Sequence, residues 1–233
     1  MARPSKANPA PRIAPDGIRR PRQARGQARF DAILDGATRL LATYDPGAIS
    51  IYTLAEETGL SAASIYHFFP DAAHVMLALA ERYLTGFLTV FDTPPDPQPA
   101  SWQALQAARF GAVRAFYDAN PAARRLLLGS GISAAIRARD LEVNHALALA
   151  AADELNALFV IPPNPHLVDR IGELIAINDA LWSLSVHRNG TITDEADEQA
   201  RRAREAFART FLPEYTPQRE PITPATDRGI TAA

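Results

Sequence analysis

Ser61, Ser64, Tyr66 and His67 fall within one short stretch bounded by two helix breakers, Gly59 and Pro70. Two hydroxyls, a phenol and an imidazole at this spacing match no nucleophile motif and no metal-ligand motif. What suits them is recognition. Hydroxyls and helix N-terminal amides bond phosphate, and longer polar side chains reach base edges in a DNA groove. Catalytic alternatives find little support. The five His, at 67, 74, 145, 166 and 187, do not fall at metal-ligand spacings such as His-x-x-x-His. There is no Gly-rich phosphate loop and no nucleophile elbow. The lack of Cys removes thiol and disulfide chemistry. The expectation is a protein that is not an enzyme and carries no cofactor and no metal, although sequence alone leaves open a Ser/His/Asp set assembled from distant residues.

The elements that must position these groups are helices. Ser50 is a good N-cap, and Ile51, Leu54, Ala55 and Thr58 recur at helical spacing behind it. Gly59 supplies the left-handed residue that ends such a helix. Ser61 caps the next one, and Leu60 before it can pack on Ile65 as a hydrophobic staple. Ile65 and Phe69, four apart, take the core face. Ala62, Ala63, Ser64, Tyr66 and His67 fall elsewhere, and Pro70 stops the helix. Asp71 caps a helix expected over 74–90. Upstream, Phe30, Ile33, Leu34, Ala37, Leu40 and Leu41 form an apolar stripe over 25–43. The sum is three helices, the last two joined by a glycine turn, which is a helix-turn-helix. An aromatic on a short helix is more often core than contact. Here the core face is already taken by Ile65 and Phe69, which pushes Tyr66 outward.

Residues 30–83 resemble the N-terminal domain of the TetR (tetracycline-repressor-type) family of bacterial regulators. The resemblance rests on Ile33, Ala37 and Leu40, then Gly47, Ser50, Ile51, Leu54, Ala55, Gly59, Leu60 and Ser61, then Ser64, Ile65, Tyr66, Phe69 and Pro70. It implies DNA contacts from Ser50, Tyr52, Ser61, Ala62, Ala63, Ser64, Tyr66 and His67. Three positions depart from the pattern. Tyr52 stands where a basic residue is common, Phe68 where His is common, and Ala72 where Lys is frequent. Each change removes a phosphate contact, and residues 50–73 contain no Lys or Arg.

The charge lies elsewhere. The chain's net charge is −2, but residues 1–29 hold eight basic groups and one acid, so the remainder carries 16 basic and 25 acidic groups. A basic arm precedes an acidic body. The arm, rich in Pro and Ala, is expected to be disordered over 1–24. Arg19, Arg20, Arg22 and Arg25 are expected to supply the phosphate and minor-groove contacts that the recognition helix lacks; the other reading is a solubilising extension.

With the head over 25–70, the rest reads as a helical body over 71–213 and a loose tail over 214–233. No apolar run is long enough to span a membrane. The charged start lacks an apolar segment behind it, which fits a cytoplasmic protein. Helices are expected over 102–120, 122–128, 134–159, 166–187 and 193–212, with breaks at PPDPQP and at Pro162-Pro163-Asn164-Pro165. Asn178 interrupts the stripe Ile171, Leu174, Ile175 and Trp182. A buried amide needs a partner, either a neighbouring backbone group, a water or a ligand. Trp102, Phe110, Asn144, His145, Asn178 and Trp182 are the ligand-pocket candidates, each also explicable as packing. Ala196, Ala200, Ala203, Phe207 and Phe211 line one side of the last helix. The resemblance implies that roughly 167–212 pairs with a second copy, whereas plain packing within the monomer is the alternative. The whole is expected to be all-α: a head of three helices plus a C-terminal ligand-binding and dimerisation domain. Its expected function is a repressor released from a palindromic double-stranded DNA operator by an unknown small molecule. The competing reading is a degenerate family member that binds partners or ligands without DNA.

Overall fold

The computed structural model describes residues 12–13 and 16–219. Among the described residues nine α-helices carry the fold: α1 (Ala24–Leu40), α2 (Ile51–Thr58), α3 (Ala62–Tyr66), α4 (Ala72–Leu88), α5 (Trp102–Ala119), α6 (Pro121–Leu128), α7 (Ala134–Leu158), α8 (Leu167–Asn189) and α9 (Asp194–Ala208). Ahead of them β1 (Arg12–Ile13) and β2 (Arg19–Arg20) pair antiparallel.

The head forms because its caps and its apolar spacing agree. Ser50 Oγ accepts from the Thr53 amide at 3.1 Å, and Thr53 Oγ1 accepts from the Ser50 amide at 2.9 Å. That reciprocal pair satisfies two otherwise orphaned donors. Gly59 sits at φ +67. Ser61 Oγ accepts from the Ser64 amide at 3.2 Å and Asp71 Oδ1 from the His74 amide at 3.0 Å. Phe30, Ile33, Leu34, Ala37, Leu54, Ile65 and Phe69 are buried together. Each large side chain removed from water contributes roughly 2 kcal/mol before entropy is counted. Gly36 lets α1 approach α2 closely, since a Cβ there would clash with Thr58 Cγ2.

Helix α4 is buried along Val75, Met76, Leu79, Ala80, Tyr83, Leu84 and Phe87 because it packs on α1 and also on α6 and α7. Arg82 donates to Asp35 at 2.8 Å, and Thr38 Oγ1 lies 3.0 Å from Tyr83 Oη. One core cluster runs from the head along α4 to Trp182. A second, around Trp102, Phe159, Leu167, Ile171 and Leu212, closes the far end. Among the described residues no helix is long and apolar enough to cross a membrane.

Both ends of the described chain differ from expectation. Residues 16–20 are fastened rather than disordered. Ile18 is fully buried, its amide donates to Asp16 Oδ1 at 3.0 Å, and the Arg19 amide donates to the Phe68 carbonyl at 2.9 Å. One large apolar residue and a short turn suffice to anchor the arm. Residues 1–11, 14 and 15 lie outside the described part. At the other end 214–219 are fastened too. The Val160 amide donates to the Pro217 carbonyl and the Arg219 amide to the Leu158 carbonyl, both at 2.8 Å. The end of α7 leaves backbone groups in need of partners, and this strip supplies them. Residues 220–233 lie outside the described part.

Candidate nucleic-acid interface and effector cavity

The second helix of the helix-turn-helix, α3, presents a mixed face. Tyr66 is 46% exposed, and Ser61, Ala63 and His67 are exposed with it. Ala62 and Ser64 are half-buried, as is Ser50 at the start of α2. Tyr52, on the first turn of α2, is 72% exposed. At the start of α3 the Ser61 and Ser64 hydroxyls lie 2.9 Å apart. Phe68 is different. It is buried, edge-on to Phe30 with ring centroids 5.8 Å apart. That position has become core and is closed to phosphate.

The four arginines of the arm separate into two kinds. Arg19, Arg22 and Arg25 are exposed and make no ion pair among the described residues. The backbone bond from Arg19 to Phe68 sets the first of them beside the end of the recognition helix. Arg25 lies in the first turn of α1, which contains no acid, so its charge adds to the positive end of the helix. Arg29, one turn on, is exposed as well. Arg20, expected to contact DNA, instead turns inward. Its Nη2 is 2.8 Å from Asp16 and 2.5 Å from Glu81 of α4, and Glu81 also meets Arg139 of α7 at 3.3 Å. Its charge is already neutralised by carboxylates.

Residues 33–79 match the family profile described as bacterial regulatory proteins, tetR family. The head is therefore similar to the DNA-binding head of TetR-family regulators. Solved TetR-family structures extend the likeness to the whole fold. A TetR-family transcriptional regulator from Streptomyces coelicolor superposes with a TM-score of 0.61 at 21% identity, over 79% of this chain and 99% of that one. SmeT, the repressor of the Stenotrophomonas maltophilia multidrug efflux pump SmeDEF, gives 0.59 at 15% identity, over 81% and 93%. A TetR regulator from Rhodococcus sp. RHA1 gives 0.56 at 15% identity, over 80% and 97%. At such identities the likeness is one of fold. No curated protein sequence matches the chain.

Behind the head, the body holds an open cavity of about 950 Å³, its mouth included, between α4, α5, α7 and α8. Of the expected ligand residues, Trp102, Phe110, Asn144 and Asn178 line it. His145 does not; it faces outward on α7. Trp182 does not line it either. It is fully buried behind Phe110 and Tyr117, its Nε1 donating to Asp197 at 3.2 Å. Trp102 Nε1 donates to the Pro213 carbonyl at 2.9 Å, leaving its ring to the cavity.

Several wall residues were not singled out from sequence. Asp140 and Asp179 stand on walls that are mostly apolar. Burial first, then the neighbouring Asp140, pushes the Asp179 carboxyl up to about 7, with the Asn178 and Asn144 amides pulling the other way. Burial also raises Asp140, opposed by Arg137, and raises the Tyr117 phenol, assisted by both acids. Asn178 has an unforeseen protein partner: its Oδ1 accepts from buried Arg204 of α9. Arg204 lies over the Phe110 ring, 4.0 Å from its centroid, and burial lowers its pKa to about 10. A signal for Asp140 existed. Ile136, Asp140, Asn144 and Leu147 repeat at helical spacing, so the acid shares a stripe with apolar neighbours.

Proposed function

We propose that the protein is a ligand-responsive transcriptional repressor that acts in the cytoplasm, binds a palindromic operator as a homodimer and releases it when a small molecule fills the body cavity. The observation that carries this reading is the continuity of helix α4. Near its middle it is braced to α1 of the head by Arg82 and Tyr83, and at its end Phe87 lines the cavity. A second link runs through α6, where Arg125 donates to the Leu41 and Tyr44 carbonyls just after α1, at 2.7 and 3.2 Å. A ligand that displaces Phe87 and Tyr117 thereby tilts the head. It shifts the equilibrium only by its differential affinity for the two head positions.

In this reading Tyr66, His67, Ser61 and Ser64 read the major groove with Ala62 and Ala63 in close approach. Ser50 and Tyr52 meet the backbone, and Arg19, Arg22 and Arg25 add phosphate contacts. The second copy joins through roughly 167–212. Ala176, Ala180 and Leu184 form an exposed row on α8 at four-residue spacing, which suits a helix pairing with its own copy. Mobility shift on the DNA upstream of the protein's own gene tests the reading. A two-fold-symmetric footprint that Tyr66→Ala abolishes supports it. Absence of any shift at low salt, with the protein folded, rejects it.

A further inference from the structure

The polar wall of the cavity is unbalanced. Three carboxylates, Asp140, Glu154 and Asp179, share it with one guanidinium, Arg109. Arg109 and Glu154 are bonded to each other, Nε to Oε2 at 2.9 Å, with both side chains largely buried. Asp140 is met at 2.9 Å by Arg137, which does not line the cavity. Asp179 makes no ion pair among the described residues, and the Asn144 amide donates to it at a long 3.4 Å. Arg204 is engaged by Asn178 and the face of Phe110. Two further wall atoms complete no hydrogen bond: Gln106 Oε1, an acceptor, and Asn178 Nδ2, a donor on a side chain that is 1% exposed.

A carboxylate in a largely apolar cavity and a buried amide N–H without an acceptor are both costly, so the empty site is chemically incomplete. An anionic ligand would add charge beside Asp140 and Asp179 with no free guanidinium to receive it. A wholly apolar ligand would seal Asp179, Gln106 and Asn178 away from water. We infer that the effector is an amphiphilic amine, its protonated nitrogen seated against Asp179 and Asp140 and its apolar body lying along Leu105, Phe110 and Ile175. Cation and carboxylate then neutralise each other where solvent screening is weak. Gln106 and Asn178 offer an acceptor and a donor to any further polar groups. The inference rests on the cavity being the effector site.

The test is a head-group series on one apolar chain: decylammonium, decanol and decanoate, titrated into the full-length protein by calorimetry and by release of operator DNA. Decylammonium should bind at least about tenfold more tightly than the other two and release the DNA. That preference should disappear in D140N/D179N, whose fold is checked by circular dichroism. If decanoate binds as well as decylammonium, or if the preference survives D140N/D179N, the amine assignment is wrong. Should decanol or decanoate release the operator while decylammonium does not, the effector site stands and only the assigned ligand class falls. Binding of none of the three overturns both. The wild-type series decides the matter even if the variant does not fold.

Discussion

The head and the body solve the problem of buried polar groups in opposite ways. In the head, caps from Ser50, Thr53, Ser61 and Asp71 pair the helix amides, and among the described residues no buried side-chain polar atom is left without a partner. In the body, Gln103 Oε1, Gln106 Oε1, Asn178 Nδ2, Arg204 Nε and Thr216 Oγ1 are all buried and unpaired. Unpaired buried groups are rare in folded proteins, and two of these, on Gln106 and Asn178, belong to residues of the cavity wall. A DNA-reading face must hold one geometry, whereas an effector site must stay less stable empty than full.

The sharpest way to break this contrast is to remove material from each region. Leu54 is fully buried at the centre of the head. Leu54→Ala should cost about 2–5 kcal/mol in urea unfolding, because the caps around it leave little room for collapse. In the body, replacing both members of the buried polar pair, Asn178→Leu with Arg204→Met, should be neutral or stabilising. Arg204→Met alone should cost about 1–3 kcal/mol, since it strands the Asn178 carbonyl. A double variant as damaged as Leu54→Ala would mean that the body, too, is built for stability.

Titration comes next. Asp179 is raised from its usual 3.8 to about 7, with Asp140 and Arg137 facing it from α7 and Tyr117 from α5. The folded protein therefore keeps a proton that the unfolded chain gives up. The stability this contributes is complete below about pH 4, is lost as pH rises toward 7 and is flat above. Urea midpoints measured across that range should decline in the wild type and decline less in Asp179→Asn. Equal slopes would place the carboxyl in ordinary solvent.

The head was legible in the sequence because local signals and the global fold agree there. Ser50, Gly59, Ser61, Pro70 and Asp71 mark helix boundaries independently of tertiary contacts. The body was legible as helices but less so as a site. Asn144 and Asn178 stood out as polar members of apolar stripes. Arg204 and Asp179 were not singled out, because what buries them is a neighbouring helix that no local pattern announces. Trp182 failed as a ligand residue for the related reason that size and burial do not say which side of a wall a ring faces. Ile18 was overlooked because composition, averaged over the arm, hides a single anchoring residue.

On the head itself, Tyr66 separates contact from support. With nearly half its surface exposed, Tyr66→Ala should change stability by no more than about 0.5 kcal/mol. Its loss should weaken operator binding by about 1–3 kcal/mol, roughly tenfold to a hundredfold, as loss of a base contact does. A large drop in stability with DNA binding little changed would return Tyr66 to the core.

The smallest effect per residue concerns the arm, and it divides arginines that look alike in sequence. Each phosphate neutralised by an exposed Arg releases condensed counterions, so binding should weaken with salt by a slope of about 0.9 per contact. Arg22→Ala, Arg25→Ala and Arg29→Ala should each lower that slope by up to about this amount and weaken binding to all sequences alike. Arg20→Ala should leave the slope unchanged, because its guanidinium already serves Asp16 and Glu81. Losing it frees Glu81 to Arg139 alone and loosens the arm, and the cost should be small because Arg20 is partly exposed. Fluorescence anisotropy on operator DNA across a salt series reads both quantities. If Arg20→Ala lowers the slope as much as Arg22→Ala does, the arm swings free of α4 on DNA, and its anchoring by Ile18 is a property of the unbound protein only.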